Sequence, residues 1–169
     1  MQHAGFDGFA PSNETSRPFR DALGRFASGV TVITTASEMG GIGMTANSFS
    51  SVSMEPPLVM WCPAKSSSRF PVYAQASRFS IHVLAAEQEH VARAFAASGA
   101  AFDTVEHRHT VDGVPVFDDC LARFDCATHA LHDAGDHIIM LGRVLEARFR
   151  NGTPLIFSQG AFRRFDNEA

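Results

Sequence analysis

Residues 43–53 carry the side chains of this chain that are best suited to bind a ligand. Their sequence is GMTANSFSSVS, which offers hydroxyl and amide groups but no Asp, Glu, Lys or His. A solvated strand alternates polar and apolar residues, whereas here small polar residues occur at both parities. The pattern therefore favours contact with a neutral ligand rich in heteroatoms over a strand that merely faces water.

A second candidate segment is Lys65-Ser66-Ser67-Ser68, which follows a strand predicted over residues 57–62. It opens a helix predicted over residues 66–76. Free backbone N–H groups at a helix start, three hydroxyls and an ammonium group together suit an anion such as phosphate. Simple N-capping by serine explains the same residues equally well. The residues alone leave both interpretations open.

Histidines form the third group of candidates. His82 is a lone histidine on an apolar strand, where most histidines are satisfied and half-buried. Cys126, His129, His132 and His137 raise the question of a metal site. Strand alternation puts His129 on the face opposite Cys126 and His132, so four ligands do not converge. No metal site is predicted.

Residues 41–46 match the glycine fingerprint G-x-G-x-x-A of dinucleotide-binding folds. That fingerprint works only where a helix begins inside it and receives a pyrophosphate at its N-terminus. Residues 47–53 are poor helix formers, and no acidic residue follows at the spacing of a ribose contact. A nicotinamide nucleotide is therefore expected to bind without this module.

The elements that must position these groups are mostly strands. Hydrophobic periodicity and turn residues predict helices over residues 17–28, 66–76 and 87–97. They predict strands over residues 30–35, 43–53, 57–62, 79–84, 114–131 and 137–149. Residues 1–16 have no period and are expected to form a flexible arm, whereas residues 17–165 form one domain. Many strands with few helices indicate a mainly antiparallel barrel.

Composition excludes several classes of protein. The 169 residues carry a net charge of −4, which gives no electrostatic basis for binding nucleic acid. Residues 1–14 lack the pattern of a signal peptide, and no apolar run approaches the roughly 18 residues of a membrane span. Three cysteines in apolar surroundings fit reduced thiols better than disulfides. We therefore expect a cytoplasmic protein without a membrane or nucleic-acid partner.

Five segments, in order, resemble the short-chain flavin reductases, whose fold is the FMN-binding split barrel. They are residues 25–35, 43–53, 78–84, 135–137 and 154–160. The similarity spans about residues 19–165. The resemblance implies a mainly β fold, namely an antiparallel Greek-key split β-barrel with a few flanking helices.

The resemblance also implies the roles of the candidate residues. The residues expected to contact the flavin ring and its ribityl chain are Met44, Thr45, Ala46, Asn47, Ser48, Ser51 and Val52. The residues expected near its phosphate are Lys65, Ser66, Ser67 and Ser68. His82 is expected to hydrogen-bond the flavin, although relatives commonly carry Asn there. His137 is expected to lie beside the nicotinamide pocket, where Asp136 either fixes its tautomer or serves the turn.

By this resemblance the chain is an NAD(P)H:flavin oxidoreductase. It would transfer a hydride from C4 of NADH or NADPH to N5 of FMN or FAD and supply a flavin-dependent monooxygenase, acting as a homodimer. Two alternatives stay open, namely a flavin-binding carrier or sensor without nicotinamide turnover, and a carrier barrel for a small apolar ligand. Pyridoxamine-phosphate oxidase-like proteins share the barrel, but the chain lacks a matching basic phosphate cluster.

Overall fold

The computed structural model describes residues 8–38 and 40–165 of the chain. Within them the three α-helices are α1 Ser16–Leu23, α2 Phe70–Gln75 and α3 Glu89–Ala97. Two short 3-10 helices span Ala86–Gln88 and Phe102–Thr104. The strands of the first half are β1 Ser28–Gly29, β2 Thr31–Ser37, β3 Gly40–Ala46, β4 Ser50–Met54, β5 Pro57–Trp61 and β6 Arg78–Val83. Those of the second half are β7 Arg108–His109, β8 Pro115–Val116, β9 Ala122–Ala134, β10 His137–Phe149, β11 Ile156–Ser158 and β12 Ala161–Arg163.

Seven strands form one antiparallel sheet in the order β3-β2-β6-β9-β10-β5-β4. Its two edge strands, β3 and β4, follow each other in the chain and are joined only by residues 47–49. A three-residue link spans roughly 10 Å, so the sheet must curl until its edges are neighbours. We call this unpaired gap, bordered by β3, residues 47–49 and β4, the seam. The fold is the expected mainly β, antiparallel split barrel.

The barrel interior is filled by one face of the sheet. Ile33 pairs with Met44 on one side and with Ile81 on the other, and the same face continues through Phe124 on β9. Alternation along each strand therefore sends one parity inward. The buried members of this inner core are Ile33, Val59, Trp61, Tyr73, Phe79, Ile81, Cys126 and Met140. Burial of each large side chain contributes about 1.5–3 kcal/mol.

The opposite parity of the sheet packs under helix α3 and forms an outer core. Val91, Ala92 and Phe95 on α3 are buried against Val32 of β2 and against Phe117. A Cβ atom on Gly43 would lie 2.4 Å from the Phe95 ring, so this position needs a glycine. Helix α3 thereby fixes β3, which carries the start of the candidate ligand segment.

β9 and β10 form a long hairpin, and the turn between them lies next to the candidate residue His137. β10 covers residues 137–149 as predicted, and Gly135 adopts a φ of 71°, which suits glycine in a tight turn. β5 pairs with β10 only from Met140 to Arg143. Within residues 8–38 and 40–165, residues 144–149 of β10 therefore pair with β9 alone, and their other edge has no partner strand.

The structure corrects three predicted helix bounds. α1 ends at Leu23, not Ser28, because Ser28 and Gly29 pair with β11 as strand β1. α2 begins at Phe70, not Ser66, and carries Pro71 in its first turn. Residues 86–88 form a 3-10 turn before α3 rather than its first residues. Tertiary pairing and proline chemistry decide these ends, not the helical period.

Two predicted strands are each divided. Residues 43–53 form the end of β3 and most of β4, which pair with β2 and β5 respectively. Residues 114–131 form β8, a non-strand connection and the first part of β9. The sequence also gave no strand for Ser28–Gly29 or Ala161–Arg163, since two- and three-residue strands are too short to show a period.

Of the predicted arm, residues 1–7 lie outside the described residues, and residues 8–15 form neither helix nor strand. Ser16 already belongs to α1. The division into an arm and a domain over residues 17–165 stays a prediction. In the described part of the chain, no helix is long and apolar enough to cross a membrane.

Candidate functional site

The segment of residues 44–52 runs along the seam of the barrel, and its members have different surroundings. Met44 and Ala46 lie on the inner face and pack against the inner core together with Phe49. Phe49 also stacks on Phe124, with ring centroids 5.6 Å apart. These residues form the apolar floor of the seam.

Two hydroxyls of the segment serve the fold. Thr45 Oγ1 donates to the Ala92 carbonyl of α3 at 2.7 Å. Ser48 Oγ accepts the backbone N–H of Cys62 at 2.9 Å, in the position that continues the β4 and β5 ladder. Thr45 therefore ties the seam to α3, and Ser48 ties it to the end of β5.

Asn47, Ser51 and Val52 remain exposed along the seam, with Ser50 beside them. Their short side chains leave the edge of β4 accessible. The amide of Asn47, the serine hydroxyls and the methyl groups of Val52 suit a flat, neutral ring that carries carbonyl and N–H groups. Of the seven predicted contacts in this segment, the structure thus presents these three directly at the surface. An isoalloxazine ring fits this chemistry.

Lys65 lies against the turn between β9 and β10. Its Nζ donates to Asp133 Oδ2 at 2.5 Å and to the Gly135 carbonyl at 2.6 Å. Its backbone N–H donates to the Asp136 carbonyl at 2.9 Å. Asp133 is a partner that the sequence analysis missed, although its place two residues before the turn glycine put it at the hairpin tip. The hydrogen bond from Lys65 lowers the pKa of the exposed Asp133 carboxyl group.

Ser66, Ser67 and Ser68 lie in the turn before α2, not on a helix. The Ser67 hydroxyl accepts the N–H of Arg69 at 3.3 Å, and α2 starts only at Phe70 without a side-chain cap. The helix N-terminus that was expected to attract a phosphate is therefore not at these residues. Ser66 and Ser68 are exposed, so their hydroxyls are accessible to an anion in another way.

Arg69 is fully engaged with the backbone around the seam. Its guanidinium donates to the carbonyls of Gly43 at 3.1 Å, Phe95 at 2.6 Å and Ala96 at 2.9 Å. These bonds join β3 to the end of α3. Arg69 thus holds the scaffold of the site.

His137 begins β10 beside Lys65. The strand bridge between Ala64 and His137 brings the loop of residues 64–68 next to it. His137 Nδ1 lies 2.8 Å from Asp136 Oδ1, and the His137 side chain is 42% exposed. The hydrogen bond with His137 lowers the pKa of Asp136, so a carboxylate faces the ring. Lys65 and His137 therefore share one surface at the hairpin tip.

His82 lies away from this surface. Its side chain is fully buried, stacks on Phe117 with centroids 3.9 Å apart and has Nδ1 3.0 Å from the Val32 carbonyl. Its Nε2 accepts the Phe117 N–H at 3.3 Å. Burial lowers the pKa of His82 to about 3, so the ring is neutral. The structure therefore does not present His82 to a bound flavin, in contrast to the expectation from the resemblance.

The remaining candidates do not form a site. Among residues 8–38 and 40–165, no group of three or more His, Cys, Asp or Glu is placed to hold a metal ion. Cys126 is buried in the inner core, whereas His129 and His132 are exposed. Residues 41–46 lie in β3, so the glycine fingerprint opens no helix.

Comparison with known proteins places the chain in a family. The family model described as "Flavin reductase like domain" matches residues 23–166, which is most of the chain. FMN reductase (NADH) SmoA of Agrobacterium fabrum is 53% identical over 160 residues, covering 95% of this chain and 92% of that protein. The reductase subunit HsaB of a flavin-dependent monooxygenase from Rhodococcus jostii is 35% identical over 148 residues, covering 86% and 76%.

A solved structure agrees with the fold over nearly the whole length. It is the NADH:FAD oxidoreductase SgcE6 of Streptomyces globisporus C-1027, in complex with NAD and FAD fragments. It superposes with a TM-score of 0.88 at 38% identity and covers 96% of this chain and 99% of that one. The family match over residues 23–166 includes the seam, the loop of residues 64–68 and the β9 and β10 hairpin.

Proposed function

The chain belongs to the family of the flavin reductase like domain, and we propose that its seam and hairpin tip form the active site of an NADH-dependent flavin reductase. It is a flavin oxidoreductase, and it acts as the reductase component that supplies reduced flavin to a monooxygenase. Two contacts support this location: Ser48 of the seam binds the Cys62 N–H, and Ala64 bridges His137, so residues 62–64 connect the seam to the hairpin tip.

We assign the flavin ring to the seam. Asn47, Ser51 and Val52 would line it, and the apolar floor of Met44 and Ala46 lies beneath. The amide, hydroxyl and backbone donors of this segment stabilise negative charge that develops on a ring as it is reduced. No strong acid or base is needed in residues 43–53, which agrees with their composition.

When bound, the two cofactors supply the chemistry itself, a hydride transfer from nicotinamide C4 to flavin N5. The protein's part is to hold two flat rings in stacked contact and to keep water out. We assign His137 to the nicotinamide side, because it is partly exposed and Asp136 fixes the orientation of its ring. Its Nδ1 is committed to Asp136, so Nε2 is the nitrogen left to meet a substrate.

We place the flavin phosphate near Ser66 and Ser68, whose hydroxyls are exposed beside Lys65. Lys65 makes an ion pair with Asp133, but its Nζ has three N–H donors and its known partners accept two. One donor remains for a phosphate oxygen. This assignment needs no helix N-terminus.

We also propose a homodimer. Met54 is 91% exposed at the β4 and β5 turn, and Phe149 is 87% exposed on the part of β10 that lacks a second neighbour. Leu145 on the same overhang is half exposed. Exposed apolar side chains next to an uncovered strand edge are typical of a surface that another subunit covers.

Free Cys62, Cys120 and Cys126 agree with a reducing, cytoplasmic setting.

The decisive experiment is a turnover assay with purified protein, NADH and either FMN or FAD in air. We expect sustained oxidation of NADH at many times the protein concentration. A single stoichiometric reduction would instead indicate a flavin carrier or sensor. A carrier for apolar ligands is disfavoured by the filled interior, where Trp61, Tyr73 and Phe79 are almost fully buried.

A further inference from the structure

A groove beside the seam has no role in the function described so far. It has a volume of about 550 Å³ and lies between α1 and the turn from β11 to β12. Asn47 of the seam forms part of its lining. The groove therefore opens directly onto the surface that we assign to the flavin ring.

We propose that this groove is the subsite for the adenosine phosphate half of a dinucleotide, supplied by NADH or by FAD. The proposal rests on the proposed function, because it extends the same site. Its lining combines cations, an aromatic ring and hydrogen-bonding side chains, which are the groups that recognise phosphates, a base and a ribose respectively.

The cations come from α1 and the residues after it. Arg20 and Arg25 both line the groove, and a guanidinium binds phosphate oxygens through paired N–H donors. In the described part of the chain Arg20 makes no side-chain hydrogen bond or ion pair. Asp21, also in the lining, accepts hydrogen bonds and so suits the hydroxyls of a ribose.

The apolar part of the groove is formed by side chains that the protein does not bury. α1 is amphipathic, yet none of its residues is buried. Phe26 is 84% exposed and Leu23 is 59% exposed. A flat base stacked on an exposed phenyl ring would remove both surfaces from water.

The opposite wall of the groove is the two-residue turn Gln159-Gly160 between β11 and β12. Gln159 has a φ of 51°, in the left-handed region that few residues other than glycine adopt. Its backbone N–H donates to the Gly24 carbonyl at 2.9 Å, and its side chain accepts from Arg25 Nη1 at 3.0 Å. Gly160 also has a positive φ, 76°, and positive φ at both residues is what a type I′ two-residue hairpin turn requires, so the turn itself enforces this conformation. The bond to Gln159 also fixes the direction of the Arg25 guanidinium before any ligand arrives.

The first test compares whole and truncated substrates. Arg20→Met and Phe26→Ala remove a cation and a ring from exposed positions, and Arg17→Met on the same helix is the matched control outside the groove. Reduced nicotinamide mononucleotide lacks the adenosine half of NADH, and FMN lacks that of FAD. We expect each groove variant to raise the KM of one whole dinucleotide about tenfold, with its truncated partner unchanged.

The substrate affected identifies the source of the adenosine half. A rise for NADH but not for reduced nicotinamide mononucleotide assigns the groove to NADH, and a rise for FAD but not FMN assigns it to FAD. Equal effects on whole and truncated substrates, or no effect, would overturn the proposal. So would a shift from dimer to monomer in Phe26→Ala, because the groove would then belong to the subunit contact.

A second test is independent of turnover. Calorimetric titration of the wild-type protein with ADP-ribose and with AMP should show binding that weakens about tenfold in Arg20→Met but not in Arg17→Met. If the wild type binds neither compound, the subsite is refuted even when flavin reduction is normal. If the compounds bind but NADH is not oxidised with any flavin, the proposed function fails and the subsite stands.

Discussion

Asp136 Oδ1 lies 2.8 Å from His137 Nδ1 at the tip of the β9 and β10 hairpin. The carboxylate accepts the Nδ1 proton, which fixes the tautomer and leaves Nε2 directed away from Asp136. The Lys65 backbone N–H donates to the carbonyl of the same Asp136. One residue therefore orients the histidine and anchors the neighbouring loop.

The first prediction concerns His137. His137→Ala should lower kcat/KM for NADH at least tenfold, equivalent to about 1.4 kcal/mol, because the ring no longer contacts the nicotinamide side. The flavin Kd, measured by fluorescence quenching, should stay within about twofold. His132→Ala, an exposed change on the same hairpin, is the control. Loss of flavin affinity with normal reduction by NADH would show that His137 serves the flavin instead.

The second prediction separates the two uses of Lys65. Lys65→Met should weaken FMN binding about tenfold and leave riboflavin binding unchanged, because riboflavin has no phosphate. Asp133→Asn removes the ion-pair partner and keeps the ammonium group, so FMN should bind as tightly as before or more tightly. Equal losses for FMN and riboflavin in Lys65→Met would mean that Lys65 only holds the hairpin. Titration of flavin fluorescence gives the dissociation constants of both flavins for the wild type and each variant.

The third prediction tests the packing under β3. In Gly43→Ala the new Cβ would lie 2.4 Å from the buried Phe95 ring, so the ring or helix α3 must shift. We expect the free energy of unfolding to fall by about 1–3 kcal/mol. Gly29→Ala is the matched control, because its Cβ would meet no atom within 4 Å, and it should change stability by less than about 0.5 kcal/mol. Urea denaturation measures both, and equal effects would refute the close contact.

The fourth prediction concerns pH and His82. Burial lowers the pKa of His82 from the usual 6.5 to about 3 in the folded state. Between these two pH values the histidine is therefore protonated in the unfolded state but neutral in the folded state. The stability contributed by neutral His82 is therefore complete above pH 6.5 and is lost as the pH falls toward 3, by up to about 1.4 kcal/mol per pH unit. His82→Asn should flatten the stability profile between pH 6.5 and 4. A variant that loses stability with pH as steeply as the wild type would contradict this role.

The fifth prediction tests the subunit contact. Phe149→Glu places a charge on the uncovered part of β10 and should raise the dimer dissociation constant at least tenfold, about 1.4 kcal/mol. Phe165→Glu is a control at an exposed residue after β12, outside this overhang. Light scattering across a dilution series gives the mass of each variant. An unchanged dimer in Phe149→Glu would move the contact to another surface.

Much of the barrel could be predicted because its strands and turns have local signals. The hairpin of β2 and β3 follows from β-branched residues and a glycine turn, and β10 matches its predicted bounds. The division of residues 43–53 between two sheet edges could not be predicted. Nothing in the local pattern distinguishes one long strand from two strands that pair with different partners.

The site could be predicted only in part. The type of a residue indicates which groups its side chain can bind, but not which other residues of the fold already occupy it. Asn47, Ser51, Val52 and His137 are accessible to a ligand, and their roles stay predictions. The hydroxyls of Thr45 and Ser48 are used by Ala92 and Cys62, which are distant in sequence. His82 is a core residue because Phe117 and Val32 enclose it, and such long-range burial is not visible in a strand pattern. The groove at α1 was missed for the same reason, since the β11 and β12 turn forms its other wall.

In the part of the chain that the structure describes, the seam leaves the outer edges of β3 and β4 without a partner strand, and such edges can recruit strands from other molecules. A ligand that lies in the seam covers these groups and adds its binding free energy to that of folding. The flavin-free protein should therefore aggregate more readily than the flavin-bound protein on storage or gentle warming. Saturating flavin should act as a protective additive during purification, even when no NADH is present and nothing turns over.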